Sequence, residues 1–394
     1  MVVLPLAGAP SLAVAEDLTA MRKPRLLFLT VIPSPYQRQL FDRLAKAQIF
    51  DVKVLYYAMG AHDRQWQHPE LAPFETVMPG TQLRLLGATA YYNPHVLRSL
   101  FEANADVVVV SDYSAPTAQI AMRALGAHGS SWIFWGEVPG FNRRGSIGSF
   151  MRRRLQAPLA TATAIAAIGS KALSAYEALF PGKRIFNIPY FCDLAPYQEA
   201  RRATHAAEDA AVDILFSGQL IERKGCDILL KAFWKVAARH AHARLIILGG
   251  GPERITLEGM VPDAIRNRVV FLGHREPHEI PKVFAAAHVF CLPSRHDGWG
   301  VVVNEALGSG LPVVVSDAVG AGHDLIRDGV NGYRARTDDD EQLAEFLDRI
   351  VGDAGLRRKL AAGSQAMARH WTLDEGVARW LAAAETVLAQ GRDA

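Results

Sequence analysis

The segment Pro293-Ser294-Arg295-His296-Asp297-Gly298-Trp299-Gly300-Val301-Val302-Val303-Asn304-Glu305-Ala306 carries residue types that can handle a phosphorylated sugar. Asp297 and Glu305 stand eight positions apart, with Gly298, Trp299, Gly300 and Val301 between them. An apolar run, Val289 to Leu292, precedes the segment, and Pro312 to Val315 follows it. This pattern predicts strand, glycine-containing loop, helix, strand. Amides freed at a helix start, with small residues permitting close approach, form an anion site. A carboxylate about one turn inside the helix reaches ribose hydroxyls beside that anion. Phosphate held by amides and hydroxyls held by acids is the chemistry of a nucleotide-sugar. Taken alone, Asp297 reads as well as a helix N-cap, since Asp is a favoured cap.

A second loop, Gly218-Gln219-Leu220-Ile221-Glu222-Arg223-Lys224-Gly225, follows the apolar run Ile214 to Phe216. A fixed cation such as Lys224 stabilises negative charge on a departing diphosphate. The plainer reading of a loop lysine is a solvated charge that buries little. Gly249, Gly250 and Gly251 suggest a dinucleotide fingerprint, but its third glycine falls on Arg254, so a tight strand-to-helix turn is the better reading. His274 and His278 are interrupted by Pro277, which breaks the helix a zinc pair needs. Asp338, Asp339 and Asp340 read as a solvated loop or helix start. No metal site and no cofactor are expected.

These groups need rigid elements to hold them. Short apolar runs alternate with helical patterns along the chain. The first half offers Leu26–Thr30, Val52–Tyr57, Val107–Val110, Trp132–Trp135, Ala164–Ile168 and Ile185–Ile188. The second offers Ile214–Phe216, Leu245–Leu248, Val269–Leu272, Val289–Leu292 and Val313–Val315. Runs this short and rich in β-branched residues predict buried parallel strands. After Lys224, the residues Cys226, Leu229, Leu230, Phe233 and Ala237 share one helix face. The chain is therefore expected to be α/β, with two doubly wound, Rossmann-like domains.

Composition sets outer bounds. The 394 residues are half hydrophobic, enough for about two domains, and the net charge of +3 is too small to argue for nucleic acid. Cys192, Cys226 and Cys291 are far apart and lack zinc spacing, which suggests a reducing, cytoplasmic setting. No apolar run approaches the roughly 20 residues of a membrane span. Residues 1–20 are read as a disordered extension or a start placed too early. The Ala13-Val14-Ala15 pattern leaves a signal peptide as the rival, although no Lys or Arg precedes its apolar part.

The second half resembles the retaining glycosyltransferases of family 4, which have the GT-B fold. The resemblance rests on motifs in order: Gly218 to Gly225, Leu248-Gly249-Gly250-Gly251-Pro252-Glu253-Arg254, Phe271-Leu272-Gly273, and Pro293 to Pro312. It covers most of residues 213–335. It implies two domains facing across a cleft and transfer of a sugar from a nucleotide-diphosphate donor, usually without a metal. It implies that Glu305 holds the ribose, and that Asp297, where the family usually has Glu, binds the transferred sugar. Lys224 would neutralise the diphosphate, and the amides of Trp299, Gly300 and Val301, beside Gly298, would receive its oxygens. Gly218 and Gln219 belong to the same donor loop. The family often has Arg at the position of Gln219, and Arg223 is the substitute cation.

The first half resembles the family only in its strand pattern and in Ile32-Pro33-Ser34-Pro35-Tyr36 after the first strand. Trp135-Gly136-Glu137 ends a strand where many relatives carry a histidine, so Glu137, with Tyr36, is assigned to the acceptor side. Arg152, Arg153 and Arg154 lie among Ile147, Phe150, Met151 and Leu155. That face reads either as a solvated helix surface or as a peripheral contact with the inner face of a membrane or a lipid-diphosphate acceptor. The expected organisation is an extension over 1–20, an acceptor-side domain over 21–193, a linker over 194–210 centred on Gln198 to Asp209, a donor domain over 211–372, and a final helix over 373–394 returning to the first domain. The expected function is glycosyl transfer to a glycan or lipid-linked acceptor in surface polysaccharide or glycoconjugate synthesis. The rivals are a catalytically weak nucleotide-sugar-binding protein and a sugar-nucleotide epimerase of the same fold.

Overall fold

A computed structural model describes residues 22–61, 70–85, 88–139, 146–204 and 211–392. The expectations for residues 1–20 lie outside the described residues. The first half runs β1 (Arg25–Thr30), α1 (Pro35–Lys46), β2 (Asp51–Tyr56), β3 (Glu75–Val77), β4 (Thr81–Leu85), β5 (Ala88–Tyr92), α2 (Val96–Glu102), β6 (Val107–Val110), α3 (Pro116–His128), β7 (Trp132–Gly136), α4 (Ser146–Gln156), β8 (Ala164–Ala167), α5 (Ser170–Leu179) and β9 (Ile185–Asn187). The second runs α6 (Ala195–Ala203), β10 (Val212–Ser217), α7 (Cys226–Arg239), β11 (Ala243–Leu248), α8 (Arg254–Gly259), β12 (Val269–Gly273), α9 (Ile280–Ala286), β13 (Val289–Leu292), α10 (Val302–Gly308), β14 (Val313–Ser316), α11 (Gly320–Leu325) and β15 (Gly332–Ala335). Three helices close the chain: α12 (Asp340–Gly352), α13 (Ala354–Ala368) and α14 (Leu373–Arg392).

The apolar runs form strands because helices cover both faces of each sheet, so alternation with polar residues has no use there. All four valines of β6 and all four residues of β13 are buried. The first sheet has the order β3-β2-β1-β6-β7-β8-β9 and the second β12-β11-β10-β13-β14-β15. Every described pair within them is parallel; β4 and β5 form a separate antiparallel hairpin. In the second sheet the chain winds outward from β10 through β11 to β12, then restarts at β13 on the other side of β10. Ligands of such sheets bind outside the carboxyl ends of the strands at this switch point. Here that point is flanked by the loops after β10 and β13, which are the two loops rich in chemistry.

The stretch read as a linker is different in structure. Its first part is helical, within α6, and residues 205–210 lie outside the described residues. The helix forms because Pro196 sits in its first turn and Tyr197 is buried on one side. Arg201 then donates to the carbonyls of Ala285 (2.7 Å) and Ala287 (3.0 Å), cation to helix C-terminus.

The terminal helix α14 lies against α1. Its Trp380 is fully buried, 5.1 Å from the ring of Phe28 and 5.2 Å from that of Trp135. The apolar stripe of α14 thus closes the first domain's core after the second domain is complete.

Candidate active site

The loop after β10 is set by close backbone approach. Gly249 has φ +128, and a Cβ there would lie 2.0 Å from the Gly218 carbonyl oxygen. The glycine turn after β11 therefore stacks directly on the start of the Gly218 loop. A 3-10 turn, Glu222–Lys224, follows and ends at Gly225, where φ is +68 and a Cβ would meet the Pro293 carbonyl at 2.2 Å. That contact docks the Lys224 loop onto the loop after β13. Arg295 N–H donates to the Arg223 carbonyl at 2.8 Å, and the Arg223 guanidinium donates to the His296 carbonyl at 2.8 Å. The Arg295 guanidinium grips Asp227 at the start of α7 through two hydrogen bonds of 2.8 and 2.7 Å. Its hydrogen bonds to Asp227 raise its pKa still further.

The docking brings the predicted cation and acid together. Lys224 Nζ lies 2.6 Å from Asp297 Oδ2, with side chains only 13% and 12% exposed, and Arg223 Nη1 lies 3.9 Å from Asp297 Oδ1. Lys224 is thus no solvated charge that buries little. The N-cap reading of Asp297 also fails: α10 begins at Val302 with Val301 as its cap, and no side chain caps it. Asp297 instead has its backbone clamped, donating to the Ala318 carbonyl (3.2 Å) and accepting from Gly320 N–H (2.9 Å). Gln219 is half-buried in the first loop. Burial, reinforced by Arg223, pushes the His296 imidazole below its usual range.

Between the acids the chain leaves its amides open. None of the backbone N–H groups of Gly298, Trp299, Gly300 and Val301 donates to another described residue. Gly300 sits at φ +91, which favours glycine. The Trp299 side chain anchors the loop. It is 1% exposed, donates from Nε1 to Asn304 Oδ1 at 3.0 Å, and lies where a Cβ on Gly169 of the first domain would come within 2.6 Å of its ring. Glu305 lies in the first turn of α10. Burial raises the Glu305 carboxyl to about 7, with nearby Tyr197 pulling the other way.

The first domain reaches the same place. A Cβ on Gly298 would lie 1.8 Å from Glu137 Oε2, so the acid assigned to the acceptor side touches the donor loop. Tyr36 packs 4.8 Å from Tyr190, whose carbonyl accepts from Asn304 Nδ2 at 3.4 Å. The structure therefore gathers Lys224, Arg223, Asp297, Gly298 to Val301 and Glu305 at one crevice, with Glu137 against it and Tyr36 linked through Tyr190. Sequence reasoning missed Asp324 and the Trp299 side chain. Asp324 of α11 accepts from the Ser170 amide (2.9 Å), the Ser170 hydroxyl (2.9 Å) and Asn187 Nδ2 (3.3 Å), tying the two domains together. A lone Asp in a Gly-Ala-Gly-His-Asp stretch carries no sequence signal for that role. Among the described residues, no group of His, Cys, Asp and Glu is arranged to hold a metal ion.

Residues 198–367 match the family model of the glycosyl transferases group 1. That match covers less than half of the chain. Glycosyltransferases are also what it resembles among curated proteins. It is 35% identical over 158 residues to an uncharacterized glycosyltransferase of Methanocaldococcus jannaschii, covering 40% of each chain. It is 32% identical over 209 residues to the GDP-mannose-dependent alpha-(1-6)-phosphatidylinositol monomannoside mannosyltransferase of Mycolicibacterium smegmatis, covering 50% of this chain and 53% of that one. The match spans about half or less of these relatives' length. Among solved structures, sucrose-phosphate synthase from Thermosynechococcus elongatus superposes with a TM-score of 0.71 at 19% identity, over 93% of this chain and all of that one. Anabaena HepE in complex with UDP gives 0.70 at 20% identity, over 92% and 99%. These likenesses establish the fold as GT-B, two parallel α/β units built on separate sheets.

Proposed function

We propose that the protein is a retaining glycosyltransferase that moves a sugar from a nucleotide-diphosphate donor to a glycan, a lipid-linked or another acceptor, in surface polysaccharide or glycoconjugate synthesis. The observation carrying this reading is the crevice itself. Open amides from Gly298 to Val301, the cations Lys224 and Arg223, and the acids Asp297 and Glu305 meet at the second sheet's switch point. In this reading the amides and Lys224 receive the diphosphate, Glu305 the ribose and Asp297 the sugar. The bond from the anomeric carbon to the diphosphate breaks, and the acceptor oxygen bonds to the same face. A leaving phosphate oxygen takes the acceptor proton. Charge on the leaving group is met by fixed cations and dipoles, and no metal is assigned to the step. Relatives named for GDP-mannose and a neighbour solved with UDP support a nucleotide-sugar donor.

No described helix is long and apolar enough to cross a membrane. A peripheral contact is assigned to α4, which exposes Phe150 (59%) and Met151 (53%) beside Arg153 and Arg154, with Arg152 half-buried. Apolar and basic groups on one helix suit an anionic lipid surface. The pairing of Lys224 with Asp297 favours a second reading, a nucleotide-sugar-binding protein of weak turnover. A thermal-shift screen over UDP-, GDP- and ADP-sugars, followed by released-nucleotide assays with and without acceptor, tests both. Stabilisation by one donor class with turnover supports transfer. Stabilisation without turnover supports the second reading, and no stabilisation by any donor refutes both.

A further inference from the structure

Among the described residues, the chain passes between the two α/β units at two places. The first crossing, residues 188–194, leaves β9 for α6, which packs on α9 and α10. The second, residues 369–372, leaves α13 for α14, which packs on α1. An aromatic stack joins them. Phe191 of the first crossing lies 5.5 Å from Trp371 of the second, with planes at 23°, and both side chains are buried. Trp371 in turn lies 5.8 Å from Trp299, with planes at 36°. Arg379 of α14 stands 5.4 Å from the ring centroids of both Phe191 and Trp371, and donates to the Asn187 carbonyl at 3.1 Å. Ring pairs and a guanidinium over ring faces at such distances attract beyond the area they bury. Trp299 reaches the first crossing by a second route. Its Nε1–H donates to Asn304 Oδ1 at 3.0 Å, and Asn304 Nδ2 donates to the Tyr190 carbonyl at 3.4 Å. One indole therefore meets both crossings, while its own backbone N–H belongs to the open run from Gly298 to Val301. The direction of those amides depends on where that indole sits.

We propose that Trp371 is a positioning residue of the donor site. Seated between Phe191 and Trp299, it fixes, through the Trp299 indole, the direction in which the open amides face the donor diphosphate. This rests on the reading of those amides as the diphosphate site. Because the stack joins the two crossings, a change in the angle between the units turns the amides with it. A Trp371 that served the fold alone would add stability without favouring any one part of the ligand.

The discriminating readout is the ratio of nucleoside-diphosphate to nucleoside affinity, which separates the phosphate contacts from those of base and ribose. Calorimetric titration compares UDP with uridine, or the corresponding GDP or ADP pair if that diphosphate binds the wild type more tightly. The nucleoside is measured by competition. Trp371→Ala should lower the ratio roughly tenfold, the scale of one misplaced hydrogen bond to a charged group. Trp371→Phe keeps a flat ring in the stack and should stay within about twofold of wild type. Phe346→Ala, which removes a ring stacked at 4.7 Å on Tyr333 in the second unit, is the control for destabilisation and should leave the ratio unchanged. In a Trp299→Phe background, Trp371→Ala should lower the ratio by less than it does alone, because the route through the indole is already weakened. Thermal unfolding confirms that each variant folds. If Trp371→Ala does not, Trp371→Leu, with apolar bulk and no flat ring, takes its place. An unchanged ratio in that variant overturns the inference while the diphosphate site stands. An equal fall in Phe346→Ala, or full additivity in the Trp299→Phe background, overturns it as well. A wild type that binds the diphosphate no more tightly than the nucleoside, or binds none of the three, refutes the diphosphate reading and the inference with it.

Discussion

Removing Lys224 should damage stability and turnover by separable amounts. Its ammonium and Asp297 form a close pair at 2.6 Å with both side chains nearly covered, and Arg223 stands farther off at 3.9 Å. Breaking a buried pair by deleting one partner costs about 3–5 kcal/mol when the other charge is left uncompensated. Here Arg223 and partial solvent access soften the loss, so about 2–3 kcal/mol is expected for Lys224→Ala. For a domain of this size that lowers Tm by roughly 5–8 °C. Asp297→Asn in the same chain removes the orphaned charge, so the double variant should recover most of that loss, a coupling of about 1–3 kcal/mol. Turnover behaves differently. In the proposed assignment the diphosphate charge still lacks its cation in the double variant, so both Lys224 variants should lose about a hundredfold or more in released-nucleotide rate. Asp297→Asn alone releases Lys224 for the diphosphate, so bare nucleotide should bind as tightly as to wild type or a few-fold tighter, while transfer falls. Differential scanning calorimetry and donor turnover on the four proteins read the whole cycle. A Lys224→Ala protein with unchanged Tm, or a double variant with restored turnover, would refute the reasoning.

Asp324→Ala strips the cap from α5 and the tie between domains, with an expected stability loss of about 1 kcal/mol, and should raise KM for donor more than it lowers kcat. Small-angle scattering should show a larger radius of gyration; an unchanged radius and KM would confine Asp324 to local capping. Trp380→Ala, at a fully buried site against Phe28 and Trp135, should cost about 3–5 kcal/mol in denaturant unfolding. Trp380→Phe should cost much less, because the indole N–H is buried without a described partner and its loss removes a penalty. Glu305 is raised in the fold to about 7, so the fold binds its proton more tightly than the unfolded chain does. Ligand-free stability contributed by this site is full below the ordinary carboxylate range and declines as pH rises through about 7. Relative to wild type, Glu305→Gln should therefore gain a few degrees in Tm between pH 5 and 8, and a constant difference would contradict the raised value.

Much of the fold was legible because its central strands are buried on both faces. Val107–Val110 and Val289–Leu292 read as strands from composition alone, and their bounds agree with the structure. Strands that lack this signature went unread: Glu75–Val77 spans three residues and starts on a charge, while Gly332–Ala335 contains glycine and arginine. The polar stretch from Gln198 hid α6, because that helix spends Arg201 on carbonyls of α9 and buries little beyond Tyr197. At the site, residue types named the acids, glycines and cations. What they did to one another depends on two loops meeting at the β10–β13 switch point, and no local pattern encodes that meeting. Asp324 is the sharpest case, since its partners Ser170 and Asn187 lie in the other half of the chain.

The crevice shows an asymmetry that bears on the order of donor recognition. Its cations already hold protein partners: Lys224 has Asp297, and Arg223 has the His296 carbonyl. The amides from Gly298 to Val301 have none among the described residues. A diphosphate arriving at those amides gains hydrogen bonds without breaking any within the protein. Its pull on Lys224, by contrast, must be exchanged against Asp297. In the proposed assignment that exchange frees the Asp297 carboxylate as the phosphate charge is neutralised, so the sugar ligand becomes available only after the diphosphate is seated. A closed Lys224–Asp297 pair is then compatible with transfer, and the Asp297→Asn nucleotide titration decides the point. Weaker nucleotide binding in that variant would mean that Asp297 supports the cation site, and the ordered exchange would have to be abandoned.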